Sequence, residues 1–444
     1  MHALAEWCIR EGFTVSGCDR SITSTSLPEL REQGAQLYCE HSADHVEHGV
    51  TTVVHSMAVP ASHPELVRAR ELGLRVITRI ELLGELFQRR KAIGVTGTHG
   101  KSSTSGMIAS ALLSVAPDSS AQLGALHPLL NGNMRYGPGE WLVAEVDESD
   151  PGFANLTSEI AVVTNLDDDH VAEGFDERRN YHASLAELER ALAMYTARAG
   201  TVLYCADWEI LQPLAQHANA HTYGLSTNAE YRIINVSHGV HDIRFTVQRP
   251  VGDPVDVVVG VPGLHNALNA TAALVALELA GFEMAAVAPA LATYHGVGRR
   301  WQRWGIFNGA ELIDDYAHHP TEITVALTAA KQTGLNVRAV VQPHRWIRTA
   351  RMWREIADAA ALANDVVILP VYAAGEAPVD GVSVERIVSR ITEAGTPAQT
   401  LNKQEAVAYL EHVAAPGDLI ITLGAGDGWE VVRDLHDLAE QGHA

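Results

Sequence analysis

Residues 94–102 read Gly-Val-Thr-Gly-Thr-His-Gly-Lys-Ser and stand where an apolar stretch gives way to a helical pattern. A glycine-rich turn between a strand and a helix leaves backbone N–H groups aimed at phosphate oxygens. The helix presents its positive end, a lysine adds a mobile cation, and the next hydroxyl reaches a magnesium ion. The spacing departs from the common G-x-x-x-x-G-K-S/T, because Val95 stands six residues before Lys101 and the extra glycines fall at Gly94 and Gly97. A chance glycine-rich turn is the bland alternative. The Gly-Lys-Ser run and its strand–loop–helix setting favour a specialised phosphate loop.

The rest of the chain supplies the sheet such a loop needs. Ala3 to Glu11 and Leu27 to Gln33 carry helical patterns; Thr14 to Gly17, Thr51 to His55 and Leu74 to Thr78 are short strand-type runs. This β/α alternation predicts a parallel, doubly wound sheet. Arg89-Arg90-Lys91 breaks the pattern, and a new strand at Ala92 to Val95 enters the phosphate loop. Buried-strand signals follow at Trp141 to Val146, Ile160 to Thr164 and Thr201 to Tyr204. Hairpin-like sequence then runs from Tyr231 to Val261, and a helix of small residues from Ala267 to Leu279. Past Gly296-Val297-Gly298 the alternation resumes at Glu311 to Ile313, Val337 to Val341, Asp365 to Leu369 and Asp418 to Leu423. A chain of 444 residues exceeds one compact core. The expectation is an α/β protein of three domains, at 1–90, 91–297 and 298–444.

A formal charge of −22, from 32 basic and 54 acidic residues, argues against nucleic acid or an anionic membrane as partner. A local anion site is compatible with it, since backbone dipoles and one lysine suffice. Cys8, Cys18, Cys39 and Cys205 show no C-x-x-C spacing, so neither a zinc site nor a disulfide framework is suggested. No signal peptide pattern opens the chain and no run is long enough to span a bilayer, which makes the cytoplasm the default.

Further polar constellations follow strands. Leu142 to Asp150 begins apolar and ends acidic, placing Glu145 near the end of a strand that neighbours the one feeding the loop. With Ser102 it would supply oxygen ligands to a hard cation; a solvated acidic turn is the alternative. His170 follows Asp167, Asp168 and Asp169 at a second strand end, which suits a second metal or the orientation of a substrate group. Asn266 and Asn269 share a helix face, either as caps or as hydrogen-bonding partners of a heterocycle such as adenine. Arg345 and Arg348, three apart, suit a two-point clamp on a carboxylate or phosphate. The paired His318 and His319 are favoured as polar contacts over zinc ligands.

Together these segments resemble the Mur ligase family, ATP-dependent amide-forming enzymes with three α/β domains. The matching pieces are Gly97 to Ser102, Glu145 to Asp150, Asn165 to His170, His265-Asn266 with Asn269, Gly298-Arg299-Arg300 and Asp315 to Pro320, spread over almost the whole chain in the family's order. The resemblance implies a Rossmann-like N-terminal domain, a central P-loop ATPase-like domain and a Rossmann-like C-terminal domain. It implies ATP and Mg2+ as cofactors, and UDP-N-acetylmuramate and an amino acid as substrates, in a monomer or homodimer. By resemblance Gly97, Thr98, His99, Gly100, Lys101, Ser102 and Ser103 hold the nucleotide phosphates. His265, Asn266, Asn269 and Asp315 match further nucleotide contacts, and Ser102, Glu145 and His170 the metal ligands. Lys101, His170 and Arg299 match the residues that serve phosphoryl transfer. Tyr316, His318, Arg345 and Arg348 match the amino-acid pocket. Tyr316 favours the branch of the family that adds L-alanine, since the branch that attaches a whole tripeptide typically has phenylalanine there. A catalytically silent nucleotide-binding relative is the rival of another class.

Two departures stand out. The family's first domain normally opens with a strand and a glycine-rich loop that cradles uridine diphosphate, and this chain begins at the methionine just after those glycines. The N-terminal domain is therefore expected to be truncated, with a start upstream of Met1. Near the other end, Gly424-Ala425-Gly426-Asp427-Gly428-Trp429 differs from the family's usual continuation.

Overall fold

Residues 1–20, 22, 27–47, 49–168 and 182–442 are described by a computed structural model. They divide into two compact units, Met1–Lys101 with Leu112–His221, and Ser102–Ala111 with Thr222–Ala444. Among the described residues no helix is long and apolar enough to cross a membrane.

The first unit opens with the helix His2–Arg10, followed by β1 (Ser16–Cys18), β2 (Gln36–Tyr38), β3 (Thr52–His55) and β4 (Arg75–Thr78). These strands are parallel, as the alternation predicts, but they pair two by two: β1 with β2, and β3 with β4. Two-stranded pairs are marginal alone, so their order rests on helices packed beside them. The helix Arg79–Gln88 starts in a reciprocal cap, Thr78 accepting from the Glu81 N–H while the Glu81 carboxylate accepts from that of Thr78. It buries Ile80, Leu83, Leu86 and Phe87 in the same core as Trp7, Leu142 and Tyr195. The Trp7 ring meets Tyr136 edge-on at 5.3 Å, and the Arg90 guanidinium lies over both rings. Trp7, with Ala3 and Leu4, thus anchors the first helix in this core.

The larger sheet of this unit comprises β5 (Lys91–Thr96), β6 (Ser120–His127), β7 (Gly132–Arg135), β8 (Trp141–Glu145), β9 (Ile160–Val163) and β10 (Thr201–Cys205). Its order is β10-β9-β5-β8-β6-β7, parallel except for β7. The middle strands are continuous apolar runs because both faces are covered. Since β8 and β9 flank β5, the carboxyl ends of three parallel strands meet where the phosphate loop begins. Gly94 belongs to β5, not to the loop. A Cβ there would run into the Tyr195 hydroxyl and Ser158 Oγ, whose mutual hydrogen bond (2.7 Å) crosses beneath it.

The second unit carries β11 (Ala220–Gly224) into an antiparallel meander of β12 (Tyr231–His238), β13 (Ile243–Gln248) and β14 (Val255–Val259). The helix Leu264–Leu279 follows, its small apolar residues buried on nearly every side. A six-stranded sheet completes the unit: β15 (Gln302–Phe307), β16 (Ala310–Asp315), β17 (Asn336–Val341), β18 (Asp365–Ile368), β19 (Ala398–Thr400) and β20 (Asp418–Leu423). The order is β15-β16-β20-β17-β18-β19, with only the β15–β16 hairpin antiparallel.

Gly94→Ala should cost about 1–3 kcal/mol by overpacking. Urea unfolding measures it, and Tyr195→Phe in the same chain should recover part of the loss by removing the hydroxyl it meets. An alanine as stable as the glycine would refute this account of Gly94.

Candidate active site

The turn after β5 needs backbone that only glycine adopts easily: Gly97 has φ +125° and Gly100 φ +82°. A side chain at Gly97 would strike Thr164 Oγ1 and the Asn165 backbone. The neighbouring strand end holds the turn in place. The His99 N–H donates to Asn165 Oδ1 at 2.7 Å, and Asn165 Nδ2 donates back to the His99 carbonyl at 2.8 Å. The Thr164 hydroxyl donates to that same carbonyl, and the Asp167 N–H donates to Thr98 Oγ1. His99 Nε2 sits 3.1 Å from Asp167 Oδ2. The loop after β9 is thus a template for the loop after β5.

Lys101 begins the helix Lys101–Val115. Its ammonium donates to the Gly97 carbonyl at 2.6 Å and the Thr98 carbonyl at 3.0 Å, and pairs with Glu148 at 2.8 Å. Burial alone would lower its pKa, but Glu148, Asp147 and Glu145 outweigh burial and raise it, so the lysine stays charged. Glu145 ends β8 opposite Val95 of β5, and its Oε2 accepts from the Gly124 N–H at 3.0 Å. Ser102 and Ser103 lie in the helix's first turn. The Tyr294 hydroxyl donates to the Ser103 carbonyl. His170 lies outside the described residues.

Neither asparagine of the following helix caps it. Gly263 is the N-cap, while Asn266 donates to the Pro262 carbonyl at 2.7 Å and Asn269 Oδ1 accepts from the Thr104 hydroxyl at 3.2 Å. Both are buried. Burial, then the Arg300 guanidinium, pulls the neighbouring His265 down to about 4, so its ring is neutral.

In the turn that leads into the six-stranded sheet, Arg299 sits at φ +58° and is held by several hydrogen bonds. Its Nε donates to the buried Asp314 at 3.0 Å, and its other nitrogens to the Gly424 and Gly426 carbonyls at 2.6 and 2.9 Å. The guanidinium therefore clasps the turn after β20. Asp315 accepts from the Trp301 and Ala317 N–H groups, yet burial outweighs these and Arg300 and pushes its carboxyl up to about 6. Trp429, the departure near the C-terminus, stacks on Trp304 at 5.8 Å with Arg433 over its ring.

The rings of Tyr316, His318, His344 and Tyr372 form a row, with centroids 5.4, 5.5 and 5.6 Å apart. Arg348 reaches His344 Nδ1 at 3.4 Å. Arg345 does not share a helical face with Arg348: it is the N-cap, at φ +68°, of the helix Trp346–Ala360. Its Nε pairs with Glu376, which also accepts from the Ile347 N–H. The i, i+3 geometry of a two-point clamp is absent for that reason. Sequence reasoning named Glu148 and Asn165 only as members of motifs and missed Glu376. The first two stand just past apolar strands, a detectable signal; Glu376 lies in a loop without a pattern.

A glycine turn on a parallel sheet, with a charged lysine and strand-end carboxylates, defines a P-loop α/β nucleotide site. The chain matches "Mur ligase family, catalytic domain" over residues 1–91, "Mur ligase middle domain" over 95–277 and "Mur ligase, glutamate ligase domain" over 299–426. It is 41% identical to the UDP-N-acetylmuramate–L-alanine ligase of Deinococcus radiodurans, over 98% of this chain and 91% of that protein. It is 36% identical to the ligase of the same name from Brucella anthropi, over 100% and 96%. The solved UDP-N-acetylmuramate–alanine ligase of Thermotoga maritima superposes with a TM-score of 0.81 at 27% identity, over 100% of this chain and 97% of that one. A murein peptide ligase from Psychrobacter arcticus shares the fold at a TM-score of 0.66 and 22% identity, over 100% and 97%. The chain belongs to the Mur ligase family, whose members are ATP-dependent ligases of cell-wall synthesis.

Protonating His265 opposes folding, because its folded pKa lies below the ordinary 6.5. Its contribution to stability is complete above 6.5 and is lost as pH falls toward about 4. Between those limits the Tm of the wild type should fall more than that of His265→Gln. Parallel Tm curves for the two proteins would rule out a buried, neutral ring.

Proposed function

We propose that this protein joins L-alanine to the lactyl carboxylate of UDP-N-acetylmuramate at the expense of ATP, in the cytoplasm, during peptidoglycan precursor synthesis. The observation that carries this reading is the 41% identity to an L-alanine ligase across 98% of the chain. The substrate carboxylate attacks the γ-phosphate of ATP, giving an acyl phosphate and ADP. The amine of alanine then attacks the acyl carbon, and phosphate departs as the amide forms.

The first step needs its phosphoryl charge neutralised and its nucleophile held in line. Lys101, kept protonated among carboxylates, is suited to the first need. The hydroxyl of Ser102 and the carboxylate of Glu145 are hard oxygen donors that fit Mg2+, and Glu145 is already oriented by the Gly124 N–H. These two residues would hold the ion, which supplies charge neutralisation to the nucleotide phosphates. His170 keeps the part of second metal ligand that the resemblance implies. Gly97 to Ser103 take the phosphates, and His265, Asn266, Asn269 and Asp315 the rest of the nucleotide. Arg299 acts as a positioning residue, since its bonds go to Asp314 and the Gly424–Gly426 turn. Tyr316, His318, Arg345 and Arg348 receive alanine, with Arg348 the principal partner of its carboxylate because Arg345 is paired with Glu376. The proposed division of labour is 1–90 for the sugar nucleotide, 91–297 for ATP and 298–444 for the amino acid.

Coupled ADP release with UDP-N-acetylmuramate and varied amine tests the reaction. Turnover with L-alanine is expected; turnover only with a tripeptide, or none, overturns the proposal. Lys101→Ala should lower ADP formation at least about 1000-fold. Arg348→Ala should raise the KM for alanine about 10- to 100-fold while leaving that for ATP unchanged. A variant that weakens ATP instead would move Arg348 out of the amino-acid pocket.

A further inference from the structure

The small N-terminal strands bring together a thiol, two imidazoles and a carboxylate, none of which is among the residues given a role in the ligase reaction above. Cys18 closes β1, His41 and His45 follow β2, and Glu65 lies in the first turn of the helix Pro64–Glu71. The Cys18 thiol donates to Glu65 Oε1 at 2.9 Å and lies 3.1 Å from His41 Nδ1. His45 Nδ1 is 3.1 Å from that same Glu65 oxygen. The donor atoms of Cys18, His41 and Glu65 all fall within 4.8 Å of one another. Around them, Tyr38 stacks on His45 at 3.9 Å, and His63 meets the His41 ring edge-on at 4.6 Å.

We propose that Cys18, His41 and Glu65 bind one zinc-class divalent cation, with His45 held beside Glu65. Thiolate with imidazole and carboxylate is a donor set that zinc favours and magnesium or calcium does not. At ordinary zinc–ligand lengths, tetrahedral neighbours stand about 3.3–3.6 Å apart, so His41 Nδ1 and Glu65 Oε1, at 3.1 and 2.9 Å from Cys18 Sγ, need only part from it by about half an ångström. Without a cation, burial and Glu65 push the Cys18 thiol up to about 12, and it remains a hydrogen-bond donor. On binding, the Cys18 S–H bond breaks, its proton passes to solvent and the sulfur pair forms the metal bond. Glu65 binds as the carboxylate and His41 as the neutral ring, and no oxidation state changes. Cysteine spacing hides such a site because its ligands lie 23 and 47 residues from Cys18 on separate segments. Those segments give the ion a mechanical part. They belong to the β1–β2 and β3–β4 pairs, which share no ladder hydrogen bonds among the described residues. The metal ties one pair to the other, so its binding energy becomes folding energy.

The experiment is cobalt(II) titration of the untagged full chain, followed by zinc competition. One cobalt per chain is expected, with a thiolate-to-cobalt charge-transfer band that zinc abolishes and millimolar magnesium does not. Cys18→Ala should remove the band and Cys39→Ala should keep it, while His41→Ala should weaken zinc at least about 100-fold. Zinc should also raise the Tm of the wild type but not that of Cys18→Ser, whose circular dichroism verifies that it is folded. No band in the wild type, or a band that survives Cys18→Ala, overturns the proposal.

Discussion

The two hydrogen bonds between the Asn165 side chain and the His99 backbone fix the shape of the phosphate loop. Glycines at positive φ allow the turn but cannot select it, because glycine's freedom is also entropy to be lost on folding. A primary amide has a donor and an acceptor on one rigid plane, so it can satisfy an N–H and a C=O of one residue together. Asn165 does this from the end of a strand bonded directly to β5, and Thr164 and Asp167 add contacts to the same turn. Preorganisation of this kind removes an ordering cost that the nucleotide would otherwise bear on binding.

A second regularity concerns charge. Three of the candidate cations have a buried carboxylate partner: Lys101 with Glu148, Arg299 with Asp314, and Arg345 with Glu376. Each of those carboxylates is at most 10% exposed. Buried partners of this sort secure protonation and direction, and removing one member leaves the other stranded. An anionic ligand arriving at Lys101 therefore meets an ammonium already balanced. Binding redistributes an existing set of contacts and does not fill an uncompensated positive hole.

What the sequence disclosed follows the same physics. Buried strands such as Ile160–Val163, an unbroken apolar run, and Asp418–Leu423, with Leu419 to Ile421 at its centre, were legible, and polar residues of the site follow such strands. The strands β6 and β7 were not expected: Ser120–His127 mixes polar and small residues, and β7 is a short antiparallel edge. Gly94 read as part of the loop because composition cannot tell a glycine needed for φ from one needed for clearance beneath Tyr195. Arg345 read as a helical neighbour of Arg348 because spacing does not reveal that the helix begins one residue later. The stacking of Trp429 on Trp304 is a tertiary contact across more than a hundred residues, invisible to any local pattern.

The paired arrangement of the first four strands reaches beyond the fold. Every strand of β1–β4 has a single ladder partner among the described residues, so each pair offers backbone donors and acceptors along both margins. Exposed margins are where copies of a chain nucleate association. The formal charge of −22 opposes that encounter by repulsion between copies. The acidity of this protein thus serves as a colloidal safeguard, one that weakens as salt shortens the reach of the repulsion.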